Sequence, residues 1–161
     1  MKINITKFQS LVDSGYINKK SKLFPRGELI IWNYSAQTQY EGFWTEETLM
    51  ARGLITTENG EIIARPFPKF FNVDEHIQKI GPLPIEKFSV YEKYDGSLGI
   101  LFFDGEQFRF STRGSFTSDQ AIEANSMLKK YNQKQFNSDY ILNSKNNFDF
   151  LIFKNSLLLK H

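Results

Sequence analysis

The sequence contains no cysteine, which excludes disulfides and thiolate metal sites and fits a reducing compartment. No apolar run approaches about 18 residues and residues 1–11 are interrupted by polar side chains, so neither a membrane span nor a signal sequence is predicted. A large charge excess is absent too, because 20 basic residues face 18 acidic ones. Binding to a polyanion would therefore need a local basic patch. Because neither a membrane span nor a signal sequence is predicted and cysteine is lacking, a cytosolic location is expected.

Apolar and aromatic side chains are plentiful. Hydrophobic residues make up 40% of the 161 residues, and 16 residues are Phe. This composition excludes an intrinsically disordered chain and allows a sizeable core. Residues 1–161 show no internal repeat and no composition shift, so we predict one folded domain, without any indication of its oligomeric state.

The first forty residues have a helical and then a polar pattern. Thr6 as N-cap and Gly15 as terminator predict a short amphipathic helix over residues 6–14. Residues 18–22 contain three lysines and predict a solvated loop, with a nucleic-acid contact as the alternative.

Most of the remaining chain has strand-like patterns. Asn59-Gly60 and Asp104-Gly105 each predict a tight hairpin. One helix interrupts the pattern, because Thr117 and Gln120 form a capping box before apolar residues at helical spacing. The predicted strands cover residues 29–34, 53–56, 61–64, 88–94, 97–103, 106–111 and 148–153. The fold class is therefore α+β, with antiparallel sheets and flanking helices.

The motif with the most chemical content is Lys93-Tyr94-Asp95-Gly96-Ser97, at the end of a predicted strand. A lysine attacks a phosphate only as the neutral amine, so its site must lower a pKa that begins near about 10.4. Gly96 allows a ligand to approach the backbone, and Asp95 can order the turn or bind a cation. The alternative for these residues alone is a plain Asp-Gly turn beside a surface lysine.

Three further segments appear in order around this motif. They are Arg52-Gly53-Leu54-Ile55, Ala64-Arg65-Pro66-Phe67-Pro68-Lys69-Phe70-Phe71-Asn72 and Ser111-Thr112-Arg113-Gly114-Ser115-Phe116. In order and spacing they resemble the ATP-dependent RNA ligases of the phage T4 RNA ligase 1 type. The resemblance spans most of the chain and implies the antiparallel fold of the covalent nucleotidyltransferases. DNA ligases and capping enzymes share Lys-x-Asp-Gly but do not explain the segment around Lys69.

This resemblance implies a three-step reaction with ATP, Mg²⁺ and RNA ends. Lys93 would attack ATP to form a lysyl-AMP, the AMP would pass to an RNA 5′-phosphate, and a 3′-hydroxyl would then seal the strand. The particular metal ligands and the particular RNA are not indicated by the sequence.

The resemblance also implies an ATP site made of Trp32, Arg52, Lys69, Asp95, Gly96, Arg113 and Asp149. Fixed positive charge at Arg52, Lys69 and Arg113 suits a phosphate that gains charge in the transition state. Lys69 lies between two pairs of apolar residues, an unusual setting for a solvated lysine. Alternatives stay open for the others: core packing for Trp32, and ordinary surface positions for Arg52 and Arg113.

The pattern departs from the family towards the C-terminus. The family has a glutamate where Asn147-Phe148-Asp149-Phe150 places an aspartate, whose side chain is one methylene shorter. The family also has a later Lys-x-Lys pair that contacts the ATP α-phosphate. No such pair follows Asp149 here, and the one present is Lys20-Ser21-Lys22. The sequence therefore predicts a truncated ligase with little activity alone, and the alternative function is an inactive remnant that binds nucleotide or RNA.

Overall fold

The computed structural model of the chain describes residues 1–87 and 96–130 and the backbone of residues 151–153. No helix in this described part is long and apolar enough to cross a membrane. The helices are α1 (Ile5–Asp13), α2 (Ala36–Glu41), α3 (Glu46–Met50), α4 (Val73–Lys79) and α5 (Asp119–Lys130). The strands are β1 (Ile17–Phe24), β2 (Gly27–Tyr34), β3 (Arg52–Thr57), β4 (Ile62–Ala64), β5 (Ser97–Phe103), β6 (Phe108–Thr112) and β7 (Leu151–Phe153).

The first sheet has the order β1-β2-β3-β4, with every pair antiparallel. The predicted solvated loop at residues 18–22 is wrong, because these residues belong to β1 and pair along its whole length with β2. β1 is an edge strand whose residues after Ile17 are almost all exposed. Its polar composition is compatible with a strand because β2 supplies the hydrogen bonds and the apolar face.

The second sheet has the order β6-β5-β7 and is also antiparallel. The predicted hairpin at Asp104-Gly105 is confirmed, but its second strand begins at Phe108 and not at the predicted residue 106. The buried Asp104 carboxylate accepts hydrogen bonds of 2.8 Å from the backbone N–H groups of Glu106 and Gln107 and forms an ion pair with Arg109. These bonds determine where β5 turns into β6.

The core consists of three apolar layers that alternate along the strands. Leu29 and Ile31 of β2 pack with Ile100 and Phe102 of β5, which joins the two sheets face to face. The alternate residue Trp32 packs on the opposite face, against α1. In the second sheet the outer face packs against α5. The two sheets are thus stacked between α1 and α5, and the α+β class with antiparallel sheets is confirmed.

Both predicted helices are confirmed, but neither begins at its predicted cap. The cap of α1 is Asn4, whose side chain accepts a hydrogen bond from the Lys7 N–H, so the prediction of Thr6 is wrong. In α5 the hydroxyl of Ser118 accepts from the Ala121 N–H, in place of the predicted Thr117. Adjacent polar residues compete for the cap, and the tertiary position of the helix decides between them.

Several elements differ from the sequence prediction or lie outside the described residues. The β3–β4 turn has a three-residue loop in place of two, since Thr57 and Glu61 are paired and Gly60 has a φ of 78°. The short helices α2, α3 and α4 were not predicted. The predicted strand 88–94 and residues 148–150 of the last predicted strand lie outside the described residues.

Candidate phosphate-binding site

A β-bulge in β3 places the first basic residue of the site. Trp32 of β2 pairs with Leu54 and Asn33 pairs with Arg52, which leaves Gly53 as the extra residue. Gly53 has a φ of 87°, in the left-handed region that favours glycine. The extra residue shifts Arg52 by one position in the alternation of side chains along β3. The Arg52 side chain therefore points in a different direction from the one that a regular strand would give it.

Arg52 is half-buried and contacts the segment that follows β4. Its guanidinium donates a hydrogen bond of 3.2 Å to the Phe67 carbonyl and lies 4.9 Å from the centroid of the Phe70 ring. Burial lowers the pKa of Arg52, and the positive charge of Arg113 lowers it further. Arg52 is therefore a cation with reduced hydration, held beside another cation.

Lys69 has a similar environment. Its backbone N–H donates to the Leu49 carbonyl at 2.8 Å, and its Nζ donates to the Phe70 carbonyl at 2.8 Å. Nζ lies 4.3 Å from the centroid of the Phe71 ring and 5.9 Å from that of Trp44.

Burial is the largest cause that lowers the pKa of Lys69. The charge of Glu75 acts in the opposite direction, whereas Arg52, Lys79 and Arg113 lower the pKa further. Three cations are therefore close enough to Lys69 for their charges to lower its pKa.

Arg113 comes from the second sheet, in the turn after β6. This turn is closed by a 2.9 Å hydrogen bond from the Thr112 N–H to the Ser115 carbonyl. The turn packs on the bulge of β3 so closely that a Cβ added to Gly53 would lie 3.1 Å from the Arg113 Cα. The Arg113 guanidinium donates to the Tyr34 hydroxyl at 2.7 Å and lies 4.9 Å from the centroid of that ring.

A row of aromatic rings connects two of these cations, Arg113 and Lys69. Tyr34 contacts Trp44 edge-on with 5.1 Å between centroids, and Trp44 contacts Phe71 in the same way at 5.3 Å. Arg113 lies at the Tyr34 end of the row and Lys69 at the Phe71 end. Within the described residues, no carboxylate forms an ion pair with Arg52, Lys69 or Arg113. We name these three residues the cationic cluster.

Two buried polar atoms beside the cluster have no hydrogen-bond partner among the described residues. They are the indole Nε1 of Trp44 and the Oδ1 of Asn33. A buried donor or acceptor without a partner costs free energy and needs a reason. Both atoms belong to residues adjoining the cations, so desolvated polar atoms lie beside cations that form no ion pair with a described carboxylate.

The other predicted site residues have different positions. Trp32 is not part of the cluster: it is 1% exposed, donates its indole N–H to the Thr56 hydroxyl at 2.9 Å and contacts Phe8 edge-on, as its core-packing alternative requires. Gly96 is exposed and immediately precedes β5. Lys93, Asp95 and Asp149 lie outside the described residues, so their predicted roles stay predictions.

A family model gives this cluster its context. The model of the RNA ligase family of the T4 RNA ligase 1 type matches residues 50–151, which is more than half of the chain. The chain belongs to this family. The resemblance inferred from the four sequence segments is thereby confirmed, and all three cations of the cluster lie within the matched region. Membership in an RNA ligase family supports a ligase-type function with ATP, a divalent metal and RNA in general.

The divalent metal of RNA ligases needs oxygen ligands, and the described residues contain no group of three or more His, Cys, Asp or Glu side chains placed to hold one. The predicted carboxylates Asp95 and Asp149 lie outside this part of the chain. The basic side chains of the described residues are therefore suited to contact phosphates, but the described residues do not by themselves make a metal centre.

Sequence reasoning missed the aromatic members of the site, which are Tyr34, Trp44 and Phe71. Tyr34 was visible as the neighbour of Trp32 in the Trp32-Asn33-Tyr34 segment, but nothing in the segment showed which ring meets the cations. Trp44 lies between two short unpredicted helices. Phe71 follows Lys69 by two residues, but Phe67 and Phe70 are equally near in sequence, so spacing alone does not show which ring contacts the lysine.

Proposed function

We propose that this chain is an ATP-dependent RNA ligase-type nucleotidyltransferase that carries AMP on Lys93. The observation that supports this proposal most is the cationic cluster. Arg52, Lys69 and Arg113 come from separate segments, lie within the region that matches the RNA ligase family, and have no ion pair with a described carboxylate.

A phosphate chain is the ligand class that suits this arrangement. Bringing cations out of water and next to one another costs free energy, and an anion bound between them offsets that cost. Guanidinium groups bind phosphate oxygens through two parallel hydrogen bonds, while the lysine ammonium acts as a point charge. Aromatic rings under the cations restrict their side chains without neutralising them. The cluster is therefore suited to the triphosphate of ATP.

The proposed first step is transfer of AMP to Lys93. The neutral Nζ of Lys93 attacks the α-phosphorus, an N–P bond forms, and the P–O bond to the β-phosphate breaks. Pyrophosphate leaves, and the amine gives its proton to solvent. The cationic cluster stabilises the charge that develops on the phosphates, an effect worth about 3–4 kcal/mol for each well-placed donor. In this proposal Gly96 lets the nucleotide approach the backbone, and Asp95 and Asp149 contact the nucleotide.

The later steps consume the lysyl-AMP. An oxygen of an RNA 5′-phosphate attacks the AMP phosphorus, the N–P bond breaks, and the leaving nitrogen takes a proton from solvent to restore the lysine. An RNA 3′-hydroxyl then attacks that 5′-phosphate and loses its proton to solvent, a phosphodiester forms, and AMP leaves. A bound Mg²⁺ would neutralise part of the charge of the triphosphate, and in this proposal Asp95 and Asp149 are the carboxylates available to it.

The direct test is to incubate the protein with ATP and magnesium and to measure its intact mass. We expect an added AMP that is absent from Lys93→Ala. The matched control is Lys87→Ala, which removes an exposed lysine six residues earlier and should be adenylated like the wild type.

Two outcomes would contradict the proposal. A wild-type protein that stays unmodified at every ATP concentration would exclude adenylation by this chain, and bound ATP without modification would favour the binding remnant. Adenylation that persists in Lys93→Ala would place the AMP on another residue.

A further inference from the structure

The Tyr34–Arg113 contact goes beyond a general cationic site. Arg113 is an exposed residue in a turn, whereas Tyr34 is 6% exposed at the end of β2. The Tyr34 hydroxyl accepts a 2.7 Å hydrogen bond from the Arg113 guanidinium, and the same guanidinium is within cation–π distance of the Tyr34 ring. One buried side chain thus contacts this cation in two ways.

Tyr34 itself is firmly placed. Its backbone N–H donates to the Ala51 carbonyl, and its ring contacts Trp44, which in turn contacts the Phe71 ring under Lys69. Tyr34, at the end of a strand of the first sheet, therefore connects a cation of the second sheet to the aromatic row. A tyrosine that only filled the core would not need its hydroxyl at the guanidinium.

We infer that Tyr34 is a positioning residue that keeps the Arg113 guanidinium directed at the phosphates of the bound nucleotide. A free arginine loses much side-chain freedom when it binds an anion, and a side chain already held in position loses less. In this inference Tyr34 acts on the phosphates through Arg113, which its hydroxyl and ring both contact. This inference rests on the proposed phosphate site.

The test is a double-mutant cycle on the binding of inorganic tripolyphosphate, measured by calorimetry with wild type, Tyr34→Phe, Arg113→Ala and the double variant. Tyr34→Phe keeps the ring and its contacts and removes only the hydroxyl. We expect at least about tenfold weaker binding, as for loss of a hydrogen bond to a charged group. In the Arg113→Ala background the same change should have almost no effect, because its target is gone.

A merely structural tyrosine would give a different result. Tyr34→Phe would then weaken binding equally in both backgrounds, or lower the melting temperature without a change in affinity, and either result would overturn the inference. Tyr40→Phe is the matched control, because Tyr40 is 92% exposed and its hydroxyl should not matter. No binding of tripolyphosphate by the wild type would also overturn the inference.

The same four proteins separate this inference from the proposed catalysis. If the cycle shows coupling but ATP leaves no AMP on the wild type, the positioning role stands and the proposed reaction fails. If AMP is formed without coupling, the reaction stands and Tyr34 has no positioning role. Where both hold, Tyr34→Phe should raise the ATP concentration needed for half-maximal adenylation more than it lowers the maximal rate.

Discussion

Two groups of basic residues in this chain have opposite environments. Lys19, Lys20 and Lys22 lie on the edge strand β1 and are all exposed. Arg52 and Lys69 of the cationic cluster are half-buried, and their pKa values are lowered chiefly by burial. Ring contacts do not distinguish the groups, because Lys19 and Lys22 also lie within about 6 Å of aromatic centroids.

The difference teaches that desolvation, and not the number of charges, marks the proposed phosphate site. An exposed lysine keeps its water and has little to gain from an anion, and on an edge strand its charge discourages pairing with another chain. A half-buried cation among other cations has already lost hydration, so an anion restores a favourable interaction. Three experiments can break or sharpen this comparison.

The largest expected effect concerns the two glycines that adjoin these regions. Gly53 and Gly27 both have positive φ, but a Cβ at Gly53 would meet Ile100 and the Arg113 backbone, whereas a Cβ at Gly27 would meet nothing within 4 Å. Gly53→Ala should lower the free energy of unfolding by about 3–4 kcal/mol, and Gly27→Ala by about 1 kcal/mol. Urea denaturation measures both changes. Equal losses of unfolding free energy would show that backbone strain alone, without the contacts to Ile100 and Arg113, sets the cost of a side chain at Gly53.

The next effect is on adenylation. Arg52→Ala should slow AMP attachment about 100-fold, as expected for one lost donor at developing phosphate charge, while Lys20→Ala should stay within about twofold of wild type. Intact mass measured over time gives both rates. If Lys20→Ala were as slow as Arg52→Ala, β1 would be part of the nucleotide site and the comparison would fail.

The smallest effect is the pH dependence due to Lys69. Because burial lowers its pKa in the folded protein, the unfolded chain binds more protons between that lowered pKa and the ordinary value, and stability rises with pH there. The stability contribution of Lys69 is full above its ordinary pKa and is lost as the pH falls through the folded-state pKa.

Urea denaturation of wild type and Lys69→Met across this pH range measures the contribution of Lys69. Lys69→Met should become more stable relative to wild type as the pH falls. If the difference in unfolding free energy between the two proteins were constant with pH, or changed with pH in the opposite direction, Lys69 would not be desolvated.

The sequence predicted the strands and the long helix where its signals were local. Runs rich in branched and aromatic residues identify β2 and β5, and Asp104-Gly105 identifies the hairpin because Asp104 caps its own turn. It failed at β1, whose residues carry no apolar alternation because an edge strand depends on its neighbour for pairing. It also failed for α2, α3 and α4, which are five to seven residues long and too short for a helical period to be read.

In the candidate site, too, the sequence predicted particular residues, but the structure determined their surroundings. Arg52, Lys69 and Arg113 were predicted from their segments, and the structure brings them together around Tyr34 and Trp44. Trp32 and Tyr34 are two residues apart on the same strand, yet Trp32 packs against α1 and Tyr34 contacts Arg113. The bulge at Gly53 and the turn of the second sheet determine these surroundings, and neither is encoded in the Trp32-Asn33-Tyr34 segment alone.

By itself, the sequence determined the family, the antiparallel α+β class and the basic residues of the proposed phosphate site, because these follow from local patterns and ordered motifs. Only the tertiary structure decided which cations lose their water, which ring faces which cation, and which lysines stay solvated. The physical reason is that desolvation and charge coupling depend on distances between residues far apart in the chain, such as the 79 positions between Tyr34 and Arg113.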